Sequence, residues 1–360
     1  MRPGGLVLRI VVCLAALPVA AQQGGGFAPI LGGLPPSSGI AGGVEYRHPS
    51  LARGAASLNV RAIGSVNLYE HLDVRLGLPP LESRHLFAEL RLRYRNYPEE
   101  GFWGLGPDSR KDDRTSFRKE DVDYSGAFGV HPVPWLRAGA IVGFLNVNTG
   151  PGKDTPEPST EELFLPGDVP ALDRQPHFRH TGGFAEVDYR KGPAGAVRGG
   201  FYTVNWTSYH DRTLGRYDFR RWDIDVRQFL PSFQPTATVA ARFSAAFTEK
   251  DPGRQVPFFL QPTVGGGIDL RGYRQYRFRD QNSAAMNLEY RWRANEYLEA
   301  VAFTDAGRVF ANPGDFGIHG VRTSVGVGGR LRITERLLVG LDVGWSREGL
   351  CFWFRGSEMF

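Results

Sequence analysis

Residues 265–292 read GGGIDLRGYRQYRFRDQNSAAMNLEYRW. Three glycines lead into Leu270-Arg271-Gly272-Tyr273, several arginines follow, and the stretch closes on Tyr290-Arg291-Trp292. The closing run alternates with period two, as a strand does, because successive side chains leave a strand on opposite faces. Ala284, Met286, Leu288, Tyr290 and Trp292 share one face; Ala285, Asn287, Glu289, Arg291 and Arg293 share the other. What each face meets depends on where the chain lives.

The N-terminus bears on that question. Arg2 and Arg9 precede and flank a short apolar core, Ile10 to Ala16, and Val19-Ala20-Ala21 offers small residues ahead of Gln22. This pattern predicts a secretory signal peptide over residues 1–21. The apolar run is well short of the roughly 20 residues of a spanning helix. Cleavage after Ala21 would remove two arginines, lowering the formal charge from +5 to +3. That is too mild a charge to argue for nucleic acid. Cleavage would also remove Cys13, leaving Cys351 alone, so an intrachain disulfide is not expected even in an oxidising compartment. No later stretch is long and apolar enough for a transmembrane helix. With 46 glycines and 24 phenylalanines in 360 residues and no linker, residues 22–360 read as one large domain.

The two-residue period recurs throughout. In 85–95, Leu86, Ala88, Leu90, Leu92 and Tyr94 oppose Glu89, Arg91, Arg93 and Arg95. In 337–345, Leu337, Val339, Leu341, Val343 and Trp345 oppose Gly340, Asp342 and Gly344. A soluble sandwich would bury the apolar face and wet the charged one. A transmembrane barrel turns the apolar face to lipid and the charged face to a polar lumen, with aromatic belts at the interfaces. The barrel is favoured by Tyr94, Tyr290, Trp292 and Trp345 at the ends of apolar faces, by long polar loops such as 150–177, and by the exported start. Sixteen strands are expected, near 25–34, 40–47, 56–65, 67–77, 85–96, 115–131, 135–148, 178–190, 196–210, 216–230, 236–249, 283–293, 297–310, 321–333, 336–346 and 350–360. The number is even, as single-chain bacterial barrels require. The first is the weakest strand, since Gly24-Gly25-Gly26 and Pro29 suit an edge or bulge. Phe352, Phe354 and Phe360 share one face of the last, the kind of C-terminal aromatic strand by which outer-membrane barrels are recognised for assembly.

Leu270-Arg271-Gly272-Tyr273, in the loop after the eleventh strand, resembles the V/L-R-G-F/Y motif of the BamA/TamA-like outer-membrane assembly barrels, the bacterial surface antigen family. Phe303-Thr304-Asp305-Ala306-Gly307-Arg308-Val309 is similar to the family's F-x-D-x-G-x-V strand, and Glu289 stands where the preceding strand carries its acidic residue. Phe102 to Ser109 and Ser346 to Phe360 are also similar, so the resemblance covers nearly all of residues 22–360. It implies an all-β, 16-stranded antiparallel transmembrane barrel whose loop after strand eleven folds inward. Chemistry supports that implication: a guanidinium in a partly desolvated lumen needs carboxylates and grips them as a planar fork. Glu289 and Asp305 are its expected lumenal partners beside Phe303 and Gly307, and Gly272 lets the loop turn tightly against the wall. The family's insertases also carry periplasmic POTRA domains before the barrel; here few residues separate Gln22 from the first strand, so none is expected.

The resemblance implies a barrel of the bacterial outer membrane acting on protein or lipid clients that insert into or cross that membrane. A weak seam between first and last strands would admit a client strand. The expected partners are the lipid bilayer and lipopolysaccharide, the outer-membrane assembly machinery during biogenesis, and a separately encoded periplasmic partner or client. The alternative is a passive pore or structural barrel gated by the Arg271 loop, which would conduct ions and need no seam. Catalysis is the third class: Ser208 and His210 share a face and Asp211 adjoins them, but such residues are common at a polar rim, so no enzyme is expected. No helix pattern follows Val325-Gly326-Val327-Gly328-Gly329, so it is no dinucleotide loop and relieves crowding in the wall. Asp108, Asp112, Asp113 and Asp154 to Glu162 match no EF-hand spacing and read as solvated loops or divalent contacts with lipopolysaccharide. No cofactor or metal is expected.

Overall fold

The computed structural model describes residues 25–79, 81, 85–153, 156–192, 197–332 and 338–356. The expected signal peptide, residues 1–21, and Phe360 lie outside these residues. Eighteen strands follow in chain order: β1 Gly26–Leu31, β2 Ala41–Leu51, β3 Ala56–Ser65, β4 Glu70–Gly77, β5 Leu86–Phe102, β6 Thr115–Val133, β7 Leu136–Pro151, β8 Phe178–Asp188, β9 Gly199–Asp211, β10 Phe219–Pro231, β11 Ala237–Glu249, β12 Thr263–Val264, β13 Phe278–Arg279, β14 Asn282–Arg293, β15 Leu298–Phe310, β16 Arg322–Arg332, β17 Leu338–Ser346 and β18 Gly349–Gly356. Sixteen of them form one antiparallel sheet in sequence order, in which β11 pairs directly with β14. The pair β12–β13 is a separate two-residue ladder inside the intervening loop.

All sixteen expected wall strands are present. The main departures are in length: β5 runs on to Phe102 past an irregularity between Tyr97 and Glu100, and β1 has only 6 residues. The small ladder β12–β13 leaves no mark in the sequence, because two residues carry no periodicity.

The sheet closes into a barrel with its polarity inside out. Leu90 (62% exposed), Val327 (62%) and Phe352 (66%) face outward, whereas Arg271 and Arg279 are among the largest fully buried side chains. Only an apolar solvent outside makes that distribution favourable. Inward charges meet across the strands. Arg93 stands opposite Asp123 and Arg95 opposite Asp121 in the β5–β6 register, with N–O distances of 3.4 and 2.9 Å. Leu90→Arg is therefore expected to cost about 2–4 kcal/mol near the bilayer midplane. Arg93→Gln, which loses one long ion pair, should cost less. Folded yield in membranes measures the difference, and the reverse order would show the faces to be misassigned.

The three longest connections between wall strands, 103–114, 152–177 and 250–281, leave from the same end of the barrel. Tight connections such as 134–135 and 294–297 lie at the opposite end. Outer-membrane barrels carry their long loops outside and their short turns in the periplasm. The long-loop end is capped by an apolar dome. Phe102, Phe117, Phe178 and Phe219 from strand ends meet Val169 and Leu172 from one loop and Phe258 and Phe259 from another.

The edges of the sheet are β1 and β18. Among the described residues no backbone hydrogen bond joins them. Ser37, in the turn after β1, and Cys351, Phe352 and Trp353 of β18 border one cavity of about 290 Å³.

Candidate functional site

The loop after β11 turns back into the lumen. Its apolar side is a small core of Val264, Leu270, Tyr273 and Phe278 packed on Val309 of β15. Gly265 and Gly266 take φ of 122° and 117°, a region closed to most L side chains, and start the turn. Gly266 and Leu270 then exchange backbone hydrogen bonds of 3.3 Å, which places Arg271 on the wall.

Arg271 is fully buried, and its guanidinium meets three carboxylates from three strands. Nε donates to Asp305 Oδ2 at 3.0 Å and Nη2 to Asp305 Oδ1 at 2.6 Å, the two-pronged grip expected of a planar fork. Nη1 donates to Glu289 on β14 and lies 3.5 Å from Asp342 on β17. The Arg271 amide adds a 3.0 Å bond to Asp305. Below the fork lies the Phe303 ring, whose centroid is 3.4 Å from the guanidinium carbon. Burial alone would lower the basicity of Arg271, but its hydrogen bonds to Asp305 and the charges of Glu289, Asp305 and Asp342 raise it above the ordinary arginine value. It stays charged at any accessible pH.

The structure thus brings Leu270, Arg271, Gly272 and Tyr273 together with Glu289, Phe303, Asp305 and Gly307. Gly272 is held close: a Cβ there would stand 2.6 Å from that of Ser324 and 2.7 Å from that of Ser346. Gly307 leaves room for Val264, against which a Cβ would sit at 2.7 Å. Phe352 and Phe354 face outward, each 66% exposed, apart from this cluster.

Further residues complete the site. Arg291 binds Glu289 at 2.7 Å, and Arg330 pairs with Asp342, so three arginines and three carboxylates share the cluster. Asn287 and Ser324 donate to Asp305 at 2.8 and 3.1 Å. Ser346 donates to the Gly272 carbonyl and Trp353 Nε1 to that of Arg271, each at 2.6 Å. The motif is therefore tied to β14, β15, β16, β17 and, through Trp353, the edge strand β18. Two more arginines hold the rest of the loop. Arg277 binds Glu348 between β17 and β18 at 2.9 Å and Ser109 after β5 at 2.8 Å; Arg279 binds Glu100 and the Phe258 carbonyl. In the sequence Asp342 stands out only by sharing a face with Gly340 and Gly344, and cross-strand register is invisible in one sequence.

Ser208, His210 and Asp211 do not form a relay. Asp211 accepts the amides of Thr213, Leu214, Arg216 and Tyr217 at 3.0–3.3 Å, capping the turn after β9, while His210 lies 3.1 Å from Asp218. Asp108 pairs with Arg322, and Glu162 caps a single helical turn.

The sequence profile of the Omp85 superfamily domain matches residues 195–345, from before β9 to the penultimate residue of β17, and so takes in the Arg271 cluster except Ser346 and Trp353. No curated protein matches the chain. Among solved structures, BamA from Haemophilus ducreyi lacking POTRA domains 1–3 superposes with a TM-score of 0.68 at 12% identity, over 93% of this chain and 70% of that one. CdiB from Acinetobacter baumannii gives 0.58 at 11% identity, over 93% and 60%. CdiB from Escherichia coli gives 0.58 at 14%, over 95% and 63%. The chain thus spans less than two thirds of either CdiB structure. At such identities the likeness establishes a shared fold. The chain therefore matches the Omp85 superfamily domain over residues 195–345 and, over nearly its whole length, shares the barrel fold of BamA and CdiB.

Proposed function

We propose that this barrel works at the bacterial outer membrane by letting protein clients, or lipid, insert or pass at the seam between β1 and β18. One observation carries the reading: every neighbouring pair of wall strands shares a ladder, whereas β1 and β18 share no backbone hydrogen bond among the described residues. β1 is also short, with Gly26 and Pro29 within it, so parting this edge costs fewer hydrogen bonds than parting any other. An unpaired edge is a template for an incoming strand. The chain acts without a cofactor and without chemistry of its own. Its other partners are a periplasmic protein that delivers clients, lipopolysaccharide around the wall, and the assembly machinery that reads the outward Phe352 and Phe354 during biogenesis.

Cross-linking tests this. Cysteine introduced in turn at Pro29, Ile30 and Leu31 would be oxidised against the native Cys351, with Cys351→Ser as control. In proteoliposomes the reduced barrel should accelerate insertion of an unfolded eight-stranded client, and the cross-linked barrel should not. Equal acceleration in both states, or a steady ion conductance indifferent to the cross-link, would favour a passive barrel.

A further inference from the structure

The cavity beside the seam is lined by Phe352, whose ring faces lipid, and lies at the long-loop end where the outward Trp345 marks the interface. Charges of both signs line it, and not all of them are matched. Arg274 is exposed, and among the described residues no carboxylate pairs with its guanidinium. Arg114 gives one edge to Glu157, while its Nε is buried without a partner. Ser116, only 7% exposed, has a hydroxyl with no hydrogen-bond partner among the described residues. The Glu99 side chain is likewise in no ion pair within 4.0 Å among the described residues. Burial, and then the charge of Arg274 beside it, lower the basicity of Arg114, and the Glu157 carboxylate offsets this only in part.

One cation without a carboxylate, a second with a free Nε, a buried hydroxyl without a partner and a carboxylate in no ion pair, all around one membrane-facing cavity, call for a ligand carrying both charges. We propose that this cavity binds a zwitterionic phosphoethanolamine headgroup, its phosphate on Arg274, Arg114 and Ser116 and its ammonium on Glu99. Arginine and a hydroxyl suit phosphate oxygens, and a primary ammonium can donate to a carboxylate as a trimethylated one cannot. A volume of about 290 Å³ admits a headgroup and leaves the acyl chains outside along Phe352. This assignment is independent of whether the seam passes clients.

Native mass spectrometry of the purified barrel, released from detergent with equal amounts of phosphatidylethanolamine, phosphatidylglycerol and phosphatidylcholine, tests it. The barrel should retain one phosphatidylethanolamine in preference to the others. Arg274→Gln should lower retention of both phosphatidylethanolamine and phosphatidylglycerol about tenfold, the factor of one charge-assisted hydrogen bond. Glu99→Gln should lower only phosphatidylethanolamine. Equal retention of the three lipids by the unaltered barrel would overturn the proposal without any variant. So would a Glu99→Gln barrel that behaves as the parent, which would leave an anion site alone. Displacement of the lipid by millimolar inorganic phosphate would assign the cavity to free phosphate instead.

Discussion

Arg271→Ala should sharply destabilise the folded barrel. Removing this side chain leaves Glu289, Asp305 and Asp342 buried near one another with only Arg291 and Arg330 to balance them. Breaking a buried pair by removing one partner costs roughly 3–5 kcal/mol. The loss should appear as a lower urea midpoint in detergent and faster proteolysis within 250–281, because the loop also loses its grip on the wall. Arg271→Lys should recover only part. A lysine restores the charge but cannot span both oxygens of Asp305 while reaching Glu289, nor lie flat on Phe303. An alanine variant with unchanged midpoint and loop protection would show that the cluster does not hold the loop.

Phe258→Ala is the second large effect, and it should be read by two instruments at once. Phe258 is 1% exposed, with ring centroids 5.3 Å from Phe102, 4.7 Å from Phe117 and 5.5 Å from Phe259. Truncating such a residue costs about 3–5 kcal/mol, partly through the cavity it leaves. Here that cavity opens in the cap of the lumen. Stability should fall, and the variant should pass ions in planar bilayers more often than its parent. Arg271→Ala, which cuts the loop from the wall but spares the dome, should raise conductance less. Equal conductance of the Phe258→Ala barrel and its parent would mean that the dome is not what closes the long-loop end.

Much of the wall could be read in the sequence, because a barrel writes its architecture at period two. Leu90 and Arg93, three residues apart, already had to face opposite solvents. The Arg271 partners were legible for a different reason: a conspicuous arginine demands carboxylates, and Glu289 and Asp305 were on the inward faces of the next two strands. The rest of the cluster was not. Asp342, Arg330 and Trp353 are isolated along the chain, and only the register, which sets Asp342 opposite Gly328 and Asp305 opposite Ser324, gathers them. The dome was also hidden, since Val169, Leu172, Phe258 and Phe259 sit in loops without periodicity. So was the cavity at the seam, which exists only because the first hairpin and the last strand come side by side in the closed barrel.

Direct bonds from Arg271 to the wall hold the loop after β11 in the lumen. A double-mutant cycle between Arg271→Ala and Asp305→Ala, followed by reversible urea unfolding in detergent, measures that bond most directly. Arg271→Ala removes the two guanidinium donors on Asp305 and keeps the backbone amide, so a coupling of about 2–3 kcal/mol is expected, the upper range for residues in direct contact. Single losses that simply add, to within about 0.5 kcal/mol, would contradict it.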